Sequence, residues 1–180
     1  LAAGSYYVKA YGLGNYASQY YSHQYSQSSA TAIVVAEGGA VSGIDFEMEI
    51  FGSVSGRVER DSDGAGLPYI IVMAYDAYWN IIASGSSDAS GDYRIERLVP
   101  GAYYIGINTG SEYRSEYFDD AASQSVASAV NVASDTTTSD INFRLSKLGA
   151  ISGRVTRNSN GTGLYGITVY AFKASGSVAG

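Results

Sequence analysis

The chain has 180 residues, with hydrophobic types at 46%, charged types at 16% and a net charge of −6. That apolar share exceeds what a disordered chain carries, and the length suits one or two domains. The acidic balance argues against a nucleic-acid partner, which selects a basic face, and no apolar run is long enough to span a membrane.

Glycine is abundant (22 residues), tyrosine more so than usual (17), and cysteine is absent. Glycine and small polar residues between short apolar runs suit a β-rich protein with many turns. The lack of cysteine excludes disulfides, thiolate nucleophiles and cysteine metal sites together. The chain opens on Leu1 with no basic-then-apolar leader, so the sequence reads as a piece of something longer. Lysine occurs only at Lys9, Lys147 and Lys173, and this acidic, hydroxyl-rich, lysine-poor composition points to an extracellular or cell-surface location.

An internal repeat organises the elements. Shifted by 97 positions, Leu1, Gly4, Tyr6 and Tyr7 fall on Leu98, Gly101, Tyr103 and Tyr104, while Ile44 and Phe46 fall on Ile141 and Phe143. Ser55-Gly56-Arg57-Val58 falls on Ser152-Gly153-Arg154-Val155, with no gap needed anywhere. Residues 1–50 then form the C-terminal half of one β-sandwich repeat, 51–148 a complete repeat, and 149–180 the N-terminal part of a third.

Within the complete repeat, Val54, Gly56 and Val58 alternate with polar neighbours as a first strand, and Asp61-Ser62-Asp63-Gly64 reads as a turn. Ile70, Val72 and Ala74 form the next inward row, followed by a short strand from Trp79 to Ala83. After the turn at Ser87 to Gly91, Tyr93 and Ile95 alternate with Arg94 and Glu96, and Pro100-Gly101 leads into Tyr103, Ile105 and Ile107. A looser Tyr/Ser/Asp stretch precedes strands carrying Val126, Val130 and Val132, then Ile141, Phe143 and Leu145. Seven short strands without helical periodicity predict an all-β fold of tandem antiparallel Greek-key sandwiches. Four residues separate Ser146 from Ile151, a link short enough to restrict the angle between successive sandwiches.

Taken together, Ser55-Gly56-Arg57-Val58, Gly66-Leu67-Pro68-Tyr69-Ile70-Ile71-Val72, Asp88 to Ile95 and Leu98 to Tyr104 resemble the carboxypeptidase regulatory-like family. That family has a transthyretin-like (prealbumin-like) sandwich and is related to Cna protein B-type surface repeats. The resemblance implies a non-catalytic accessory or stalk domain without a family-wide active site. B-type repeats often close a lysine isopeptide bond from the first strand, but that strand here offers Arg57 and Arg154. A guanidinium stays protonated and is no amine nucleophile, so no such cross-link is expected.

Chemistry-bearing residues are few. The lone His23 has Asp120 as its counterpart and no serine–acid arrangement around it, which reads as a loop residue. Asp61 and Asp63 resemble the opening of a calcium loop but lack its distal bidentate acid, so they read first as turn residues and only weakly as metal ligands. Asp119, Asp120 and Asp135 have the same weak standing, and no other cofactor is expected. Asn160-Gly161-Thr162 fits a glycosylation acceptor and equally a hairpin turn. Tyrosines suit half-wet interfaces with proteins or sugars, and Tyr11, Tyr25, Tyr78 and Trp79, which recur in no other copy, are the candidates for such contacts. The expected function is that of a non-enzymatic structural or adhesive module of a surface stalk, layer or filament. Its partners are neighbouring repeats or copies of itself, assembled by strand complementation. The alternative is a glycan-binding accessory module of a secreted enzyme.

Overall fold

The computed structural model describes residues 1–110, 112–172 and 174. Lys173 and the Trp79 counterpart Gly176 lie outside the described residues. Contacts divide the chain into a unit of Leu1–Leu148 and a second unit beginning at Gly149.

The first unit opens with four short strands, β1 (Gly4–Tyr6), β2 (Lys9–Ala10), β3 (Gln19–Tyr20) and β4 (Ile33–Val35). β1 pairs antiparallel with β4, and β2 with β3. There follow β5 (Gly52–Arg60), β6 (Ile71–Tyr75), β7 (Ile81–Ser86), β8 (Asp92–Leu98) and β9 (Gly101–Ile107). β10 (Glu116–Tyr117), β11 (Ala129–Val132), β12 (Thr137–Thr138) and β13 (Phe143–Leu145) complete the unit. Single 3-10 turns at Gln27–Ser29 and Gln124–Val126 are the helical elements among the described residues.

β5 to β13 make two sheets. In one, β9 lies between β6 on one side and β10 and β11 on the other, with β7 beyond β6. In the other, β5 is central, flanked by β8 and by β12 and β13. Between them lies one core that includes Val54, Val58, Val72, Ala74, Tyr93, Ile95, Ile105, Val130, Ile141, Phe143 and Leu145. Strand alternation produces this segregation directly. In β8, Tyr93 and Ile95 are buried while Arg94 and Glu96 face water, because successive side chains leave opposite faces of a strand; Arg97, at φ 60°, breaks the alternation and Leu98 turns inward after it.

Antiparallel pairing dominates, as expected from the sequence. The exceptions are β12 and β13, which run parallel to β5, with Phe143 beside Val58 and Leu145 beside Arg60. Glu59 and Arg144 form a cross-strand ion pair there at 2.7 Å. Gly56 explains the tight fit of this sheet. A Cβ at this position would lie 2.0 Å from the Ile141 carbonyl oxygen, so only glycine lets the backbones approach. The same carbonyl accepts a 2.6 Å hydrogen bond from the buried Tyr93 hydroxyl.

Two local expectations shift. The third strand begins at Ile81 rather than Trp79, because the Asp76 carboxylate accepts from the backbone of Tyr78 (2.8 Å) and Asn80 (2.9 Å) and closes a loop. Trp79 is held in it at φ 65°, outside strand geometry. Val126 lies in the second 3-10 turn and is exposed, so the strand begins at Ala129.

Candidate interaction surfaces

β5 sets the frame. At its Gly52 end it receives the chain from residues 1–50, and at its Arg60 end it lies beside Leu145, just before the chain leaves the unit. Nine strand residues separate these points, about 30 Å. At the leading end, the loop after β2 clips the incoming chain. Ala17 N donates to Glu49 O at 2.8 Å, and Phe51 N to Asn15 O at 2.9 Å. At the trailing end, Arg114 N donates to Ser146 O and Leu148 N to Glu112 O, both at 2.9 Å. The donor and acceptor numbers of the two clips differ by 97 throughout.

The pattern extends beyond the clips. β1 pairs Gly4 with Val35 and Tyr6 with Ile33, while β9 pairs Gly101 with Val132 and Tyr103 with Val130. The hydroxyls of Tyr6 and Tyr103 donate to Ala2 and Val99 carbonyls at 2.8 and 2.7 Å. His23 and Asp120 share φ 55°.

Further contacts fix the leading end. Ser134 Oγ accepts from Ile50 N and donates to Ile50 O, each at 3.1 Å. The Arg97 guanidinium sits 4.5 Å over the Phe51 ring and donates to Gly14 O at 3.1 Å. Asn15, Phe51, Ser53, Arg94 and Arg97 line a polar cleft of about 230 Å³ beside these contacts.

The four aromatic candidates are scattered. Tyr11 is exposed with Lys9 Nζ 5.0 Å from its ring centroid. Tyr25 is half-buried, and its hydroxyl donates to Glu49; burial above all, and then that hydrogen bond, raises its pKa. Tyr78 projects into solvent, 85% exposed. Trp79 is half-buried and stacked on Tyr104 with centroids 4.5 Å apart, and Tyr75 and Tyr117 meet it at 5.8 and 5.2 Å. The indole is therefore largely engaged by its own sheet.

The acidic candidates are engaged as turn residues. Asp63 accepts from Arg60 Nη1 at 2.8 Å and from Ala65 N at 3.1 Å, and Asp61 accepts from Ser146 Oγ at 3.2 Å. Asp135 and Asp120 hold positive φ in loops, as does Asp119. His23 is exposed, 4.0 Å from Glu47. In the second unit, Asn160 Oδ1 accepts from Thr162 N at 3.1 Å, a turn contact.

Glu116 was not marked out by the sequence reading. It is buried in β10 with Oε1 lacking a hydrogen-bond partner among the described residues. Burial above all, then the Asp120 charge, pushes its pKa up to about 7, against the opposing pull of Arg114 and a backbone hydrogen bond from Arg144. Its counterpart in the first strands is Gln19, also buried, whose Nε2 donates to Glu47 O at 2.7 Å. An amide in one copy and an acid in the other was the available signal.

These surfaces define a β-sandwich module with a held chain at each end. No protein-family model and no curated protein matches the sequence. Among solved structures, the chain is similar to the minor pilin GBS52 of Streptococcus agalactiae, at 18% identity and TM-score 0.44, covering 86% of this chain and 65% of that one. It is also similar to the TIE protein of Bacillus anthracis (17%, TM-score 0.45), covering 81% of this chain and 25% of that one. The major pilin subunit BcpA of Bacillus cereus matches at 12% identity and TM-score 0.41, over 66% of this chain and 33% of that one. The chain thus spans less than two thirds of each. At these TM-scores and identities the likeness assigns neither family nor activity to it.

Proposed function

We propose that this chain is a segment of a tandem-repeat structural protein of the cell exterior, non-catalytic, in which each sandwich is one bead of a stalk, layer or filament. The observation that supports it most is the clip. The chain arriving at β5 and the chain departing after β13 are held by the same two backbone hydrogen bonds, 97 residues apart, at opposite ends of a nine-residue strand. A connection that reproduces itself at a fixed offset propagates a string of equivalent units, whose stability is local plus neighbour terms.

Adding one and then two further copies of residues 51–148 in series tests this by X-ray scattering. The maximum dimension is expected to grow by an equal step of at least about 30 Å per copy, the length of β5. A dimension that stops growing, as copies fold back on one another, would refute the reading. The glycan-binding alternative retains Tyr78 as its support, since Trp79 is stacked on Tyr104.

A further inference from the structure

The two outer faces of the sandwich differ in chemistry. Outside the sheet built on β5, Arg57, Glu59, Arg94, Glu96 and Arg144 point outward and pair with one another, Arg94 Nε lying 3.3 Å from Glu96. On the other sheet Val72, Ala74, Tyr103 and Ile105 take the inward positions, which leaves Ile71, Met73, Tyr75 and Tyr104 on the outside. Tyr117 joins them beside Gly106. The Trp79 indole braces three of these rings, and Tyr75 and Tyr117 stand edge to face with centroids 6.0 Å apart.

Alongside Tyr75 and Tyr117 opens a pocket of about 590 Å³, with Asn108, Ser115, Ser123 and Gln124 among its further walls. Among the described residues, none of the side chains that line it is charged. Its polar groups are linked to one another. Ser115 Oγ donates to Asn108 Oδ1 at 3.3 Å, and the Ser123 and Ser125 hydroxyls lie 3.0 Å apart. Across the 97-residue offset, Ser115, Ser123 and Gln124 meet Ser18, Ser26 and Gln27, whereas Asn108 and Ala122 stand where the first copy has Tyr11 and Tyr25. Gly106 stands in place of Lys9, whose Nζ lies 5.0 Å from the ring of Tyr20, the counterpart of Tyr117. A Cβ at Gly106 would come 2.5 Å from the Tyr117 ring, so glycine lets that ring lie against β9. Where the first copy carries two further rings and a cation, the second keeps the hydroxyls and the amide and opens a neutral pocket.

We propose that this pocket binds a neutral saccharide, one sugar ring lying against Tyr75 and Tyr117 while Asn108, Ser115, Ser123 and Gln124 take its hydroxyls. A pyranose offers a C–H face and a rim of hydroxyls, which calls for aromatic surface beside uncharged donors and acceptors. An anion would meet no cation among the described lining residues, and a cation no carboxylate. The volume falls within the roughly 300–1,000 Å³ of small-ligand sites. Trp79 acts as a positioning residue that holds the two rings in place. Tyr78 is not part of this lining, so the site is separate from the loop tip. The proposal goes beyond the tandem-repeat reading and does not rest on it.

Trp79 is the single tryptophan and meets both rings, so its fluorescence reports on the pocket. The full chain is titrated with cellohexaose, maltohexaose, N-acetylchitohexaose and, as an anion, hexagalacturonate, with calorimetry in parallel. Saturable binding of at least one neutral hexasaccharide is expected, at least about tenfold tighter than hexagalacturonate. The double variant Asn108→Tyr, Ala122→Tyr installs the side chains of the first copy and should weaken binding at least about tenfold with the melting temperature kept. Gln124→Ala, at an exposed position, should weaken it about threefold to tenfold. Three results would overturn the proposal: no saturation by any neutral sugar, hexagalacturonate bound as tightly as they are, or binding that survives both variants. Binding lost in Tyr78→Ala but kept in the double variant would overturn it too, by moving the site to the loop. The scattering increments expected of the tandem repeat are independent of all these outcomes.

Discussion

Glu116 offers the most discriminating test of how this fold handles buried charge. Its ordinary pKa near 4.5 is pushed up to about 7 in the folded chain, so between those values the folded state holds a proton that the unfolded state has released. Stability therefore falls as pH rises through that window, and above it the full cost is carried. The shift corresponds to about 3 kcal/mol. Glu116→Gln removes the titration and installs the side chain that the first copy has at Gln19, where the amide donates to a backbone carbonyl at 2.7 Å. At pH 8 the variant should be more stable by up to about 3 kcal/mol, a rise in Tm of roughly 10–20 °C for a domain of this size. At pH 4 the two proteins should melt together. Thermal unfolding followed by circular dichroism at both pH values measures this. A variant no more stable than the parent at pH 8, or a difference that does not depend on pH, would refute the argument that burial of this carboxylate governs its ionisation.

Other positions give sharper yes-or-no outcomes. Gly56→Ala places a methyl 2.0 Å from the Ile141 carbonyl oxygen, which should cost about 3 kcal/mol or more in urea denaturation. Tyr93→Phe deletes the 2.6 Å bond to that carbonyl and leaves it unsatisfied in the core, for a loss of about 1–2 kcal/mol with little change in the circular dichroism spectrum. Trp79→Ala removes the stack on Tyr104 and should cost about 1–2 kcal/mol of melting stability.

The parts of the fold governed by strand periodicity were legible in the sequence. Tyr93 and Ile95, Val72 and Ala74, and Ile105 and Ile107 all point inward as their alternation requires. Direction and partner choice were not legible, because nothing in Phe143 or Leu145 says that their strand runs parallel to β5. Trp79 reads as a strand residue by its β propensity, yet the Asp76 carboxylate closes a loop around it and overrides that preference. Gly56 stood out because Gly153 repeats it, but the reason, a carbonyl contributed from 85 residues away, exists only in three dimensions. The aromatic candidates differ from one another for a related cause. Tyrosine count reveals supply, and only packing separates the solvent-facing Tyr78 from Tyr25, which hydrogen-bonds to Glu49.

The parallel alignment of β5 and β13 carries one more implication. In an array of the proposed kind, tension would grip the unit at Gly52 and beyond Leu145, opposite ends of adjacent strands that run the same way. The load then falls on the ladder in shear, so its hydrogen bonds and the Glu59–Arg144 pair must rupture together instead of peeling one by one. Such a bead would resist stretching through the order and direction of its strands.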